Sequence, residues 1–436
     1  IVFGDWSSDV CSSDLEQIKQ VSRSLVEDDL EAIEKDGLKA FFRLTFPLVV
    51  AGEYQHNWHI DALCEHLEAV SKGQINRLII NLPPGVTKSL ITSVAWPSWE
   101  WSFNPSCRFI YGSFSERNVL RDARRHRDIV CSDWFSHRFG KDAYVDTKAV
   151  QYFINHAKGF RYSTTIGGAV TGEHAHRQVV DDPIKPQDVS GGKAVTRSML
   201  DAVHNWWTGT MATRRVDPKH FSRVIVMQRL HPGDLAGLML ETGDYEHLML
   251  PMLFEPQRRC HTSIGFSDPR TKENELLWPD RYDENAVSAD KKEMGSFWFE
   301  TQHQQRPSAK SGLIFKQQWI EKTYDVIPVR ARYFMSIDPV LTSSDSGSYH
   351  VNILFAYHDG NYYIVSVDRH RGYTFTEDEN SIVSMANENN PSPIYLEKTA
   401  RGASLSDTLK AKISSIELVT PLGDKETRAR DRKSVV

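Results

Sequence analysis

Nine consecutive residues, Asn81-Leu82-Pro83-Pro84-Gly85-Val86-Thr87-Lys88-Ser89, join an apolar run at 77–82 to a helix-forming run that starts at Ser89. A loop at a strand-to-helix junction points backbone N–H groups and the positive end of the helix at an anion. Lys88 adds a point charge and Ser89 a hydroxyl for Mg²⁺, so Pro84, Gly85, Val86, Thr87, Lys88 and Ser89 can cradle the phosphates of a nucleoside triphosphate. Loops of this type usually carry Gly immediately before the Lys and again six residues before it. Thr87 and Leu82 hold those positions here. A Lys-Ser helix start behind a Pro-Pro turn is the plainer reading of the same residues.

A second group lies at His176-Arg177-Gln178-Val179-Val180-Asp181-Asp182-Pro183, where a short apolar strand ends in two adjacent carboxylates. Asp181 can hold Mg²⁺ through water while Asp182 faces the attacking water, the pairing that in-line attack on a phosphoanhydride needs. Many such sites use Glu in the second place, and Asp is one methylene shorter. An Asp-Asp-Pro turn that caps the next segment is the alternative. A third polar step, Gln228 and Arg229, follows the apolar run 224–227 and is placed to sense the γ-phosphate and relay its loss.

These groups meet only if strands and helices alternate. Helical spacing predicts one or two helices over 16–51 and another over 58–70. Strands follow at 77–82, 108–112, 162–166, 177–180, 223–227 and 247–250, with helices at 88–103, 115–131, around 195–210 and from 233. That order implies a mostly parallel sheet covered on both faces, with ligands at the carboxyl ends of its strands. Residues 254–312 are rich in Pro, Gly and charge and read as a connector with short helices. A new unit then starts, with strands at 333–337, 351–357 and 362–367, the last two joined by the hairpin turn His358-Asp359-Gly360-Asn361. Helices at 376–388 and 404–412 bracket a strand at 393–396. Strand and hairpin followed by helix, strand and helix is the order of an RNase H-like sheet.

At 436 residues, two domains are the default. A formal charge of −5 means that any nucleic-acid surface is local, and Arg121-Asp122-Ala123-Arg124-Arg125-His126-Arg127 is the densest basic cluster. Such a run also suits a solvated helix face. Cys11, Cys64, Cys107, Cys131 and Cys260 show no paired short spacing, which argues against a zinc site and a disulfide framework and fits a reducing compartment. No apolar run approaches membrane-spanning length, so a soluble, intracellular protein is expected, with no membrane partner. Residues 1–15, with their near-repeated Ser/Asp opening, read as a non-native or disordered arm.

From residue 58 to 430 the chain resembles the large terminase subunit of tailed bacteriophages. The resemblance is carried by Asn81 to Leu90, Ser113 to Arg127, Gly167 to Gly172 leading into Val179 to Lys185, and Gln228 to Gly237. Phe299 to Pro307, Ser336-Ile337-Asp338-Pro339 and Tyr395 to Gly402 complete it. It implies an α/β protein: a P-loop NTPase domain with a mostly parallel sheet over 16–253, the connector at 254–312, and a C-terminally incomplete RNase H-like nuclease domain over 313–436. By the same resemblance Lys88 contacts the β- and γ-phosphates of ATP, Ser89 and Asp181 bind Mg²⁺, and Asp182 is the catalytic base. Arg121, Arg124 and Arg125 are candidates for an arginine finger.

In the second unit, Asp338 and Glu397 are expected to hold two Mg²⁺ or Mn²⁺ ions for phosphodiester cleavage. Asp345 either assists or is a loop residue. A further acidic ligand is expected beyond the chain's end, since Asp424 and Asp431 come too early, so weak or absent Mn²⁺-dependent DNA cleavage is expected of these residues alone. The function implied is ATP-driven translocation of double-stranded DNA into a procapsid, with endonucleolytic cutting of concatemers. Its partners would be a small terminase subunit, a portal protein and other copies in a ring, in the host cytoplasm and transiently at the portal. A helicase-like P-loop ATPase and an inactive prophage remnant with an assembly role are the alternatives.

Overall fold

The computed structural model describes residues 12–170, 172–185, 197–307, 323–339, 349–413 and 415–420. It divides into two compact units, Ile1–Ala309 and Lys310–Val436.

The first unit opens with the long helix α1 (Ser12–Val49), broken at Gly37, whose φ is 58°. The break has a local cause: the Glu68 carboxylate on α2 (Trp58–Ser71) accepts the Leu38 N–H at 2.9 Å and occupies the space that a Cβ at position 37 would fill. Of the arm expected at 1–15, residues 1–11 lie outside the described residues, and Ser12 to Leu15 begin α1.

Seven strands form one sheet: β1 (Arg77–Asn81), β2 (Phe109–Ser113), β3 (Tyr152–Ile154), β4 (Phe160–Thr165), β5 (Arg177–Asp181), β6 (Ser222–Met227) and β7 (Glu246–Met249). Their order is β3-β4-β2-β5-β6-β1-β7, parallel throughout except for the β3–β4 edge pair. Continuous apolar runs such as Leu78-Ile79-Ile80 and Val224-Ile225-Val226 are buried on both faces, as a parallel sheet requires. Alternate residues enter two separate cores: Leu78, Ile80, Val224 and Val226 pack on one side, Ile79, Ile110, Val180 and Ile225 on the other.

Helices fill the layers. After β1 come α3 (Lys88–Leu90), a π-turn at Ile91–Ala95 and α4 (Trp96–Phe103); after β2 come α5 (Glu116–Val130), capped by Ser115, and α6 (Asp133–Phe139). Then follow α7 (Arg197–Asn205), α8 (Leu235–Glu241) and α9 (Glu284–Trp298). The connector expected at 254–312 is, as far as Ala309, part of this unit, and Leu277, Trp278, Val287 and Phe299 belong to its buried core. Its polar composition hid those four apolar anchors.

The second unit is a mixed sheet of β8 (Arg332–Asp338), β9 (His350–His358), β10 (Asn361–His370), β11 (Ile394–Glu397) and β12 (Ile416–Val419), in the order β10-β9-β8-β11-β12. The first three strands are antiparallel and the last two continue parallel to β8. Asp359 and Gly360 both take positive φ, 49° and 81°, as the tight β9–β10 hairpin requires. Helices α10 (Phe375–Asn389) and α11 (Ala400–Leu409) cover the face that presents Met335, Ile337, Leu354, Ile394 and Leu396. Strand β12 has no counterpart in the sequence reading. Among the described residues, no helix is long and apolar enough to cross a membrane.

One buried ion pair ties α4 to the start of β5. Glu100, fully buried, accepts Arg177 at 2.8 Å, the Ser71 hydroxyl at 2.8 Å and the Cys107 thiol at 3.3 Å. Glu100→Ala leaves the guanidinium without its counter-charge, so the first unit should lose about 3–5 kcal/mol. Urea unfolding followed by the fluorescence of Trp96, Trp101 and Trp278 measures this, and a loss under about 1 kcal/mol would contradict it.

Candidate functional site

The carboxyl ends of β1, β6 and β5 lie side by side, in that order, with Asn81 level with Met227 and Asp181 level with Val226. The sheet register therefore brings three segments, distant in sequence, to one edge. Asn81 locks it, donating to the Met227 carbonyl at 2.9 Å and meeting His247 Nε2 at 2.8 Å.

From β1 the chain runs through Pro83 and Pro84 into a tight loop. Gly85 needs its positive φ of 78°, and it needs the absence of a side chain: a Cβ there would lie 2.0 Å from the Tyr282 hydroxyl. Thr87, where a glycine would be unstrained, takes φ 62°. The loop is braced from behind. Burial holds His59 down at about 4, so its ring is neutral. Asn57 donates to the Leu277 carbonyl at 2.9 Å and to His59 Nδ1, which leaves His59 Nε2–H to donate to the Val86 carbonyl at 3.3 Å. Lys88 follows at the start of α3 with only 6% of its surface exposed.

Asp181 ends β5. Its Oδ2 accepts the Ser93 hydroxyl at 3.3 Å, and its buried Oδ1 has no hydrogen-bond partner among the described residues. Burial pushes its carboxyl up to about 7; the Asp182 charge adds to this, while the Lys88 ammonium and the Ser89 hydroxyl oppose it. Lys88, Ser89, Asp181 and Asp182 thus share one electrostatic neighbourhood, as the sequence reading requires of them. Asp182 takes φ 43°, its backbone N–H bonds Val226 O at 2.8 Å, and its Oδ1 accepts the Gln228 N–H at 3.3 Å.

The third segment divides. Gln228 is buried at the strand end, with its Oε1 unpartnered among the described residues. Arg229 is turned into its own loop: its Nε lies 2.9 and 3.0 Å from the two oxygens of buried Asp234, and its Nη2 donates to Pro232 O. That guanidinium shapes the turn into α8.

The basic cluster on α5 also divides. Arg121 grips Asp122 through two bonds of 2.8 and 3.0 Å; this bond raises its pKa, with a smaller contribution from the charge of Asp181. Arg125 stands 3.6 Å from Asp122. Arg124 is exposed. The sequence reading missed Arg161, which is fully buried in β4, lies 3.9 Å from the Tyr111 ring centroid and donates to Ser93 O at 2.5 Å. Burial lowers its pKa to about 10, against the raising charges of Tyr111, Asp122 and Asp181. Its only sequence signal is a lone arginine at the start of a strand. Tyr282, His59 and Gln305, whose Oε1 accepts the Arg229 N–H at 2.9 Å, were missed as well, because nothing local marks a brace.

A Mg²⁺ ion fits the chemistry of this edge, since a half-buried carboxylate, one oxygen of which has no hydrogen-bond partner among the described residues, beside a hydroxyl is a ready oxygen-ligand set. A cavity of about 370 Å³ lined by Arg77, Lys219, Asp244 and Glu246 lies at the other, amino-terminal ends of β1 and β7 and plays no part in it.

In the second unit, β11 runs parallel to β8 with Leu396 level with Ile337, so Glu397 and Asp338 are level at the two carboxyl ends. Ile337 and Leu396 enter the helix-covered core, and alternation sends Asp338 and Glu397 to the other face. Asp345, Asp424 and Asp431 lie outside the described residues.

No protein-family model matches the chain. No curated protein matches it. Among solved structures it is similar to the large terminase of bacteriophage HK97, at 10% identity over 88% of this chain and 84% of that one, with a TM-score of 0.46. It is also similar to the large terminase of a thermophilic bacteriophage in complex with ATP-gamma-S, at 11% identity over 84% and 83% with a TM-score of 0.33. A third similar structure is the Phi-28 gp11 DNA packaging motor, at 9% identity over 84% and 96% with a TM-score of 0.31.

The raised pKa of Asp181 has a signed consequence. The folded state binds a proton that the unfolded state releases between about pH 4 and pH 7, so this group's stabilising contribution is lost as pH rises through that window. In Mg²⁺-free buffer, Asp181→Asn should therefore melt above the wild type at pH 8 and close to it at pH 5. Parallel melting curves for the two proteins across that range would remove the assignment.

Proposed function

We propose that the first unit is an ATP hydrolase and that the chain as a whole is a DNA-packaging motor of the large-terminase kind. One observation carries the hydrolase: Lys88, Ser89, Asp181 and Asp182 meet at adjacent carboxyl ends of a parallel sheet, where a doubly covered α/β unit binds its ligands. Backbone strain supports the same reading, because Thr87 and Asp182, both non-glycine residues at positive φ, sit in this one place.

In this reading the loop from Pro84 to Ser89 receives the phosphates, and Lys88, almost dry, contributes its charge at full strength. Ser89 and Asp181 hold Mg²⁺, which when bound offsets charge on the transferring phosphoryl group. Asp182 orients the attacking water and accepts its proton. Because the Asp182 carboxylate is tied to the Gln228 backbone, loss of the γ-phosphate is felt at the end of β6. Arg121, whose charge already reaches Asp181, is the arginine of its cluster best placed to serve the phosphates.

Asp338 and Glu397, level on one face of the second sheet, would hold the first of two Mg²⁺ or Mn²⁺ ions of a phosphodiesterase centre in an RNase H-like domain. The DNA-packaging reading rests on the family motifs in the sequence. It brings with it double-stranded DNA, a small terminase subunit, a portal protein and a ring of subunits in the host cytoplasm.

Purified protein should hydrolyse ATP in a Mg²⁺-dependent way. Lys88→Ala should lower kcat by at least about 100-fold while the melting curve stays that of a folded protein. Asp182→Asn should match it, and Arg229→Lys should act mainly on stability. Wild-type turnover in Lys88→Ala would end the hydrolase reading. Cleavage of plasmid DNA with Mn²⁺, lost in Asp338→Ala but retained in Lys88→Ala, tests the second centre separately.

A further inference from the structure

The helix-covered face of the second sheet carries a group that neither centre uses. His350 opens β9 and His370 closes β10, and the two are directly paired across the strands, with rings stacked at 4.8 Å and 12°. Asp378, in the first turn of α10, reaches down to both: its Oδ1 is 3.4 Å from His350 Nδ1 and 2.9 Å from His370 Nε2. One ligand atom from each residue lies within 4.8 Å of the others. His350 and Asp378 are 1% exposed and His370 9%.

The surrounding hydrogen bonds fix which nitrogens face inward. Asn352 donates from Nδ2 to Asp368 at 3.3 Å and to Ser381 at 3.1 Å, so its Oδ1 is the atom that accepts His350 Nε2–H at 2.9 Å. Asp368 accepts His370 Nδ1–H at 3.1 Å and also takes the Ser381 hydroxyl. His350 thus gives its Nε2–H outward to Asn352 and turns Nδ1 inward, while His370 lies between two carboxylates, Asp368 at 3.1 Å and Asp378 at 2.9 Å, so that its inward Nε2 becomes a ligand once the ring's one proton is on the Asp368 side. Two imidazoles oriented by an amide and a carboxylate behind them are the usual support of a metal-bound histidine pair. Zinc bonds of about 2.0–2.1 Å set tetrahedral ligand atoms about 3.3 Å apart, and the contacts to Asp378 are 2.9 and 3.4 Å.

We propose that His350, His370 and Asp378 form a binding site for a first-row divalent transition metal, zinc foremost, which fastens α10 to the β9–β10 ribbon. It is distinct from the carboxylate pair. Val351 is level with Asp338, and alternation puts His350 on the opposite face of the sheet from that acid. The chemistry differs as well: the nitrogen donors here favour zinc or cobalt, whereas Asp338 and Glu397 offer the oxygen ligands that Mg²⁺ and Mn²⁺ take.

Full-length protein stripped by a chelator is titrated with Co²⁺ and followed by visible absorption. The expected result is an intense tetrahedral d–d band that saturates at one equivalent and is displaced by Zn²⁺. His350→Ala and His370→Ala should abolish the band. Asp338→Ala should keep it, and Asp368→Asn should weaken the affinity about 10–100-fold. If the histidine variants fail to fold, the wild-type titration and Asp368→Asn still decide. A wild-type protein without the band, or a band that survives either folded histidine variant, overturns the site and leaves a proton shared between His370 and Asp378 as the link.

Discussion

A half-buried carboxylate close to a nearly buried ammonium is the constraint around which the first unit is organised. Lys88 is 6% exposed and Asp181 keeps its Oδ1 out of water, at the end of a sheet whose central strands are covered on both faces. Two such charges are tolerable only if each is answered, and the answers radiate outward. Arg161 lies behind Asp181 and feels its charge, Asp122 feels both and is gripped by Arg121, and Ser93 links the layers by donating to Asp181 while its carbonyl takes Arg161. The strand order, with β6 inserted between β1 and β5, spaces the ammonium from the acid. This arrangement leaves one Asp181 oxygen without a hydrogen-bond partner among the described residues and raises its carboxyl to about 7.

The loop illustrates how rigidity is obtained without the usual glycine. Thr87 at positive φ costs of order 1 kcal/mol, which the surroundings must over-determine. They do so from two sides: neutral His59, oriented by Asn57, holds the Val86 carbonyl, and the Tyr282 hydroxyl lies against Gly85. The segment 277–282 reaches the loop from the region that composition alone marks as a connector. Its Trp278 is wholly buried, which explains why that region folds with the first unit.

What the sequence made legible follows from the range of each signal. Strands such as Ser222–Met227, read at 223–227, and the helix from Glu116 to Val130 are written in local periodicity and caps, and they were placed within a residue or two. The meeting of Lys88 with Asp181 was legible because strand-end motifs in a parallel sheet share one edge whatever the intervening chain does. The surroundings of Arg229 were not legible for the converse reason: its polarity at a strand end is visible, but its capture by Asp234, five residues on, depends on the turn that the pair itself stabilises. Arg161, His59 and Tyr282 act on the site through packing across distant segments. The short strand β3 is three residues long, too short for alternation to register.

The second sheet separates two chemistries by the parity of a strand. Successive side chains on β8 and β9 point to opposite faces, so Ile337 and His350 enter the covered side while Asp338 and Val351 take the other. On the covered side, polar groups survive only with their bonds satisfied, and the Asn352, Asp368 and Ser381 network supplies those bonds while aiming two imidazoles at Asp378. On the other side, Asp338 and Glu397 remain half-buried at the strand ends. A one-residue slip of β9 against β8 would exchange the two sets and bury Val351 where His350 now lies, so the register that builds the hydrophobic core also keeps nitrogen donors and oxygen donors apart.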